Sequence, residues 1–164
     1  MLIGERSTII ECPIEDVFQF VSDPTNDPTW HPPVIKVERT SAGPNGLGST
    51  FAGIHDPRRR VMATPPRPSS FLRITAEIVE SVPNERCRIQ ARFVDPPIGL
   101  ARVLGRELTL IFRVEPAAGG TRLFRSLDIN PAAWLAPLVR ATLSSAGRRR
   151  NDYLLANIKT VLEA

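Results

Sequence analysis

Hydrophobic positions in this chain change period three times, and each change marks an element. Residues 3–12, Ile-Gly-Glu-Arg-Ser-Thr-Ile-Ile-Glu-Cys, are rich in β-branched side chains and stop at Pro13, which predicts a first strand. Pro13 then opens a helix with Glu15 and Asp16 in its first turn and Ile14, Val17, Phe18 and Val21 on one face; Pro24 is expected to end it. From Asp23 to Pro33 the Asp, Asn and Pro content predicts a short helical turn or an irregular loop, with Trp30 as its one large apolar group.

After this break the period is two. Val34 and Val37 mark a second strand, glycines within residues 42–48 supply a hairpin loop, and a third strand is expected over residues 49–55. Pro57, Pro65, Pro66 and Pro68 exclude a central strand through residues 56–70, which predicts an exposed, mobile excursion. Residues 71–82 alternate Leu72, Ile74, Ala76 and Ile78 against Arg73, Thr75 and Glu77, the pattern of a sheet wet on one side. Past the turn at Pro83-Asn84-Glu85, a fifth strand carries Cys87, Ile89, Ala91 and Phe93 on one parity and ends at Asp95-Pro96-Pro97. Residues 107–115, with Leu108, Leu110, Phe112 and Val114, form a sixth strand; residues 117–120 turn it into a seventh over 121–129.

Beyond Asn130-Pro131 the period becomes helical. Leu135, Leu138, Val139, Thr142, Leu143, Ala146, Arg150, Leu154, Ile158 and Leu162 follow three-four spacing, which predicts one long terminal helix, with Gly147 as the place for a bend. The layout is α+β, without internal repeats, and residues 1–164 read as one domain.

This order of elements resembles the START-like, or SRPBCC, superfamily, and within it the polyketide cyclase/dehydrase and lipid-transport group. The likeness covers essentially the whole chain. It is carried by Pro13 with the Val17-Phe18-x-Phe20-Val21 helix, the Asp23-Pro24-x-Asn26-x-x-x-Trp30 turn, Gly46-x-Gly48-x-x-Phe51, Gly120-Thr121-x-Leu123 and the final helix. The resemblance implies a helix-grip fold, a curved seven-stranded antiparallel sheet wrapped around a long C-terminal helix, with a deep and mainly apolar cavity between them. Strand parity then suggests the lining: Phe51, with His55 on its face, and Ile74, Ala91, Phe93, Leu110 and Phe112 on theirs, joined by Phe71 and by Leu154 from the helix. Trp30 is expected at the mouth.

Two polar residues interrupt the apolar faces. Arg125 lies between Leu123 and Leu127, where a buried charge is costly unless paired or reaching a ligand anion. One reading is a clamp for a carboxylate or enolate. The plainer and preferred one is a strand-end arginine that snorkels outward or pairs with a nearby acid. His55 and His31 have the side-chain chemistry for proton transfer to a ketone or enol. A solvated histidine at a strand end or in a proline-rich turn is the expectation for both. Arg150, Tyr153 and Asn157 are further polar candidates on the terminal helix.

Composition removes other classes. At 164 residues the chain can bury a core without staples. Cys12 and Cys87 are isolated and read as small hydrophobes, and no third ligand is spaced to complete a metal site with the histidines. No cofactor is expected: no glycine pattern between a strand and a helix suggests a phosphate-binding loop, and Ser144-Ser145 is not a nucleophile elbow. The net charge of +4 comes with two arginine triplets, Arg58-Arg59-Arg60 and Arg148-Arg149-Arg150, that lack interleaved aromatics, so nucleic acid is not the expected partner. Without a leader or a span of ~20 apolar residues, the chain reads as a soluble cytoplasmic monomer or homodimer, with no membrane insertion.

The leading expectation is a carrier or sensor that holds a hydrophobic small molecule, lipid- or polyketide-like. The alternative is a cyclase, aromatase or dehydratase using the same cavity, so whether the chain is an enzyme stays open. A module that binds a partner through the basic excursion ranks last.

Overall fold

The computed structural model describes residues 1–56, 71–94, 96, 102–103 and 105–164. Of the excursion predicted over residues 56–70, residues 57–70, with Arg58, Arg59 and Arg60, lie outside the described residues.

The described residues form seven strands: β1 (Leu2–Ile10), β2 (Val34–Arg39), β3 (Thr50–His55), β4 (Leu72–Val82), β5 (Arg86–Val94), β6 (Glu107–Ala117) and β7 (Gly120–Ile129). They form one antiparallel sheet in the order β1-β7-β6-β5-β4-β3-β2. Strands β2 to β7 follow one another as hairpins, and β1 adds itself beside β7. Register shifts between Ile3 and Arg6, Val34 and Lys36, and Ile78 and Glu80 supply the local bends that let so long a sheet curve.

The chain passes from the β1 edge to the β2 edge through α1 (Ile14–Val21), a 3-10 turn at Pro24–Asn26 and α2 (Asp27–Trp30). Pro13 caps α1, Glu15 and Asp16 sit where the helix dipole favours acids, and Val17, Phe18 and Val21 are buried. The helix stops at Val21, earlier than Pro24. Asp23 precedes a proline and is therefore extended (φ −111°, ψ 101°), and its carboxylate caps the 3-10 turn at the Thr25 N–H, 3.0 Å away.

The chain ends in α3 (Ala136–Leu162), which lies chiefly against β1. That approach depends on Gly4. It holds φ +67° at the β1 bulge, and a Cβ there would stand 2.8 Å from the Gly147 carbonyl carbon.

The sheet's inward face is filled unevenly. α1 and the C-terminal half of α3 cover one half, where Ile10, Phe112, Leu123, Leu154, Leu155 and Ile158 form the core. Over the other half three inward positions at its centre are small: Gly53 of β3, and Ala76 of β4 directly across from Ala91 of β5. A helix resting on β1 cannot close the space above such short side chains, and a cavity remains.

Candidate functional site

The cavity measures about 290 Å3 and lies between α2, the inward faces of β3 to β7 and the N-terminal half of α3. Ile74, Ala91, Leu110 and Leu127 form apolar wall, and Phe51 closes the β3 side. Its polar groups, by contrast, gather at one end: Asp27, His31, His55, Arg125, Arg150 and Asn151.

Arg125 marks the level where solid core gives way to hollow. Its strand neighbour Leu123 is fully buried in the core, whereas Leu127 lines the cavity. Its guanidinium stands 5.8 Å from the Trp30 ring and 5.9 Å from the Phe112 ring, a cation held against two π-faces. Only 4% of the residue is exposed, so it does not snorkel outward. Nη1 donates to the Asn151 Oδ1, while Nε is buried without a partner. Asn151 in turn donates to the carbonyls of Gly4 and Arg125, stapling α3 to β1 and β7. Burial first, and Arg150 second, pull the Arg125 pKa down to about 10, against the opposing pull of Asp27.

His31 is buried beneath α3, not solvated as its proline-rich setting suggested; α2 ends just before it and turns its ring inward. The ring stacks on Trp30 at 5.2 Å, and its Nε2 faces the Arg150 Nη2 at 3.2 Å. A cation can only donate, so this Nε2 accepts and the proton of the neutral ring sits on Nδ1. Burial, then the charges of Arg125 and Arg150, hold the His31 pKa well below its ordinary value. His55 meets His31 edge-on at 6.0 Å between centroids and is lowered to about 4 by burial and by Arg150. Arg150 is exposed as a residue, yet its guanidinium reaches into the site, where burial lowers its pKa.

Among the described residues Asp27 is the acid lining the cavity. Burial raises its pKa to about 7, opposed by the charge of Arg125. The buried Trp30 indole N–H also favours its ionised form without completing a hydrogen bond. Neither arginine is salt-bridged to a carboxylate among the described residues.

Of the residues singled out from the sequence, Phe51, His55, Ile74, Ala91, Leu110 and Arg125 line this cavity, as does His31. Trp30 does not stand at the mouth: it is 2% exposed, edge-on to Phe112 at 6.3 Å, with its carbonyl bonded by Asn157. Phe112 and Leu154 have the expected inward parity but belong to the filled half of the sheet. Phe93, opposite Ile74 near the end of β5, and Phe71, ahead of β4, are half-buried and outside the lining. Asp27 and Asn151 were missed. Asp27 read as a turn former, although its spacing to His31 places both on one side of a helical turn.

Solved structures resemble this fold throughout. The chain matches protein MLL2253 from Mesorhizobium loti with a TM-score of 0.64 at 13% identity, covering 99% of this chain and 97% of that one. It matches Ara h 8.0201 with a TM-score of 0.62 at 12% identity, covering 99% and 97%. It also matches the di-domain ARO/CYC BexL from the BE-7585A biosynthetic pathway with a TM-score of 0.67 at 19% identity, covering 99% of this chain and 46% of that one. No curated protein matches the chain. The model of one family, described as polyketide cyclase / dehydrase and lipid transport, matches residues 1–163. With its sheet, gripping helix and cavity, the chain belongs to the polyketide cyclase/dehydrase and lipid transport family.

Proposed function

We propose that this chain binds one hydrophobic small molecule in its cavity, as a carrier or sensor, with Arg125 as the polar anchor. The observation that carries the reading is the division of the cavity into an apolar wall and a single polar end. Such a division suits a molecule with an apolar body and one polar group. The histidines suit binding better than proton transfer. The His31 lone pair is occupied by Arg150, and His55, lowered to about 4, is a weak base at neutral pH.

A second reading, a cyclase or dehydratase, is favoured by one observation. Asp27, with its pKa raised to about 7, is poised to give or take a proton near neutrality. The two readings share the cavity and differ in whether the bound molecule leaves changed.

Native mass spectrometry of protein purified from its own host, followed by denaturation and identification of any passenger, tests the reading. A stoichiometric apolar passenger is expected, and Ala91→Phe, which fills the cavity, should lose it while keeping the wild-type circular dichroism spectrum. A passenger retained unchanged in a folded Ala91→Phe variant would place binding elsewhere.

A further inference from the structure

We propose that the ligand is an organic acid, its apolar body against the Ala91 and Leu110 wall and its single carboxylate received by Arg125 and Arg150. This rests on the small-molecule-binding reading above and adds the class of head group. Two guanidiniums line the same end of the cavity, and among the described residues no carboxylate is salt-bridged to either. Arg150 makes Arg125 harder to keep charged, burial does the same to Arg150, and two like charges at one end of a cavity call for an anion.

Arg125 Nε, buried and without an acceptor, is a donor waiting for one. Arg150 is the half of the pair that reaches the site from the helix surface. It enters from an exposed position on α3, and His31, accepting from its Nη2, aims it at the polar end. Among the described residues Asp27 is the one acid lining the cavity, and it is the natural rival of an incoming carboxylate. Burial disfavours its charged form, so at mildly acidic pH it leaves the arginines to the ligand. While Asp27 is protonated, a neutral hydrophobic molecule would leave both cations uncompensated, whereas one carboxylate supplies acceptor oxygens for donors from both.

The test compares 2-naphthoate with methyl 2-naphthoate, titrated into the full chain at pH 6 by calorimetry. The neutral dye N-phenyl-1-naphthylamine reports whether the cavity itself is intact. The acid is expected to bind at least about tenfold more tightly than the ester. Arg125→Gln and Arg150→Gln should each weaken the acid about ten- to hundredfold and the ester by much less, and Arg150→Gln should still take up the dye. Should Arg125→Gln fail to fold, Arg150→Gln, at an exposed helix position, carries the test alone. Equal or tighter binding of the ester overturns the acid proposal while leaving the cavity reading standing. So does equal loss of acid, ester and dye in a folded Arg150→Gln variant. If wild-type protein takes up none of the three compounds, the cavity reading falls and this proposal with it.

Discussion

Asn151 holds more of the site together than any other single side chain. It accepts from Arg125 and donates to the carbonyls of Gly4 and Arg125, so one amide joins α3 to two strands and steadies the buried cation. Asn151→Ala would leave the Arg125 guanidinium without its one side-chain partner and expose the Gly4 carbonyl to an unfilled space. The expected loss is about 2–4 kcal/mol, read as a lower urea midpoint at unchanged m-value. A loss below about 0.5 kcal/mol would mean that the contacts drawn to Asn151 contribute little. Asn151 could not be recognised from sequence, because an asparagine in a helix has no period that announces it and its partner lies 26 residues away.

At the scale of elements, the fit of α3 on β1 is governed by two glycines with opposite expectations. Gly4 takes φ +67°, and a methyl group there would meet helix backbone at 2.8 Å. Gly4→Ala therefore combines a strained backbone with a clash that cannot relax by a side-chain rotation, and it should cost about 2–4 kcal/mol. A Cβ on Gly147 would meet ordinary contacts at 3.8 Å and 4.0 Å, so Gly147→Ala should be neutral or stabilising by up to about 1 kcal/mol through helix propensity. Thermal melting of the two variants separates them, and similar losses in both would contradict this packing. The β6–β7 turn has a harder constraint still. At Gly120, φ is +152° and a Cβ would collide with the Ile10 carbonyl oxygen, so Gly120→Ala should prevent β1 from closing on β7 and yield little folded protein on expression.

Across the molecule, the buried ionisable groups set how stability follows pH. Asp27, raised to about 7, is protonated when folded and ionised when unfolded between about pH 4 and 7. Its stabilising contribution is thus present at low pH and lost as pH rises through about 7. His31 and His55 act in the opposite sense. Their depressed values give stability that is present above about pH 6.5 and lost as pH falls, for His55 through about 4. Between pH 5 and 6 two histidines outweigh one carboxyl, so stability should rise by about 1.4 kcal/mol per pH unit, the slope of one proton. Asp27→Asn removes the opposing group and should steepen the slope towards two protons. Urea titrations at half-unit steps test both, and a flat wild-type profile would contradict the burial of this cluster.

Strand parity, the proline that opens α1, the glycine-bearing hairpins and the change to three-four spacing after Pro131 are local properties. Each follows from what one residue and its near neighbours allow, and they were enough to place seven strands, the long helix and the inward positions of Phe51, Ile74, Ala91, Leu110 and Arg125. Parity tells which way a side chain points and not what stands opposite it. Phe112 and Leu110 share a face of β6, yet one lies within the filled core against Trp30 and the other, at the edge of that core, borders the cavity. That difference arises only when α1 and α3 are laid across the curved sheet. The same packing carried Trp30 and His31 inward from a proline-rich turn, and gave Arg125 its asparagine, its two aromatic rings and a second arginine. The sequence by itself therefore determined the container and its polarity along each strand. The tertiary structure alone decided where the container is hollow and which distant polar groups meet at its end, because volume and charge are shared between elements far apart in the chain.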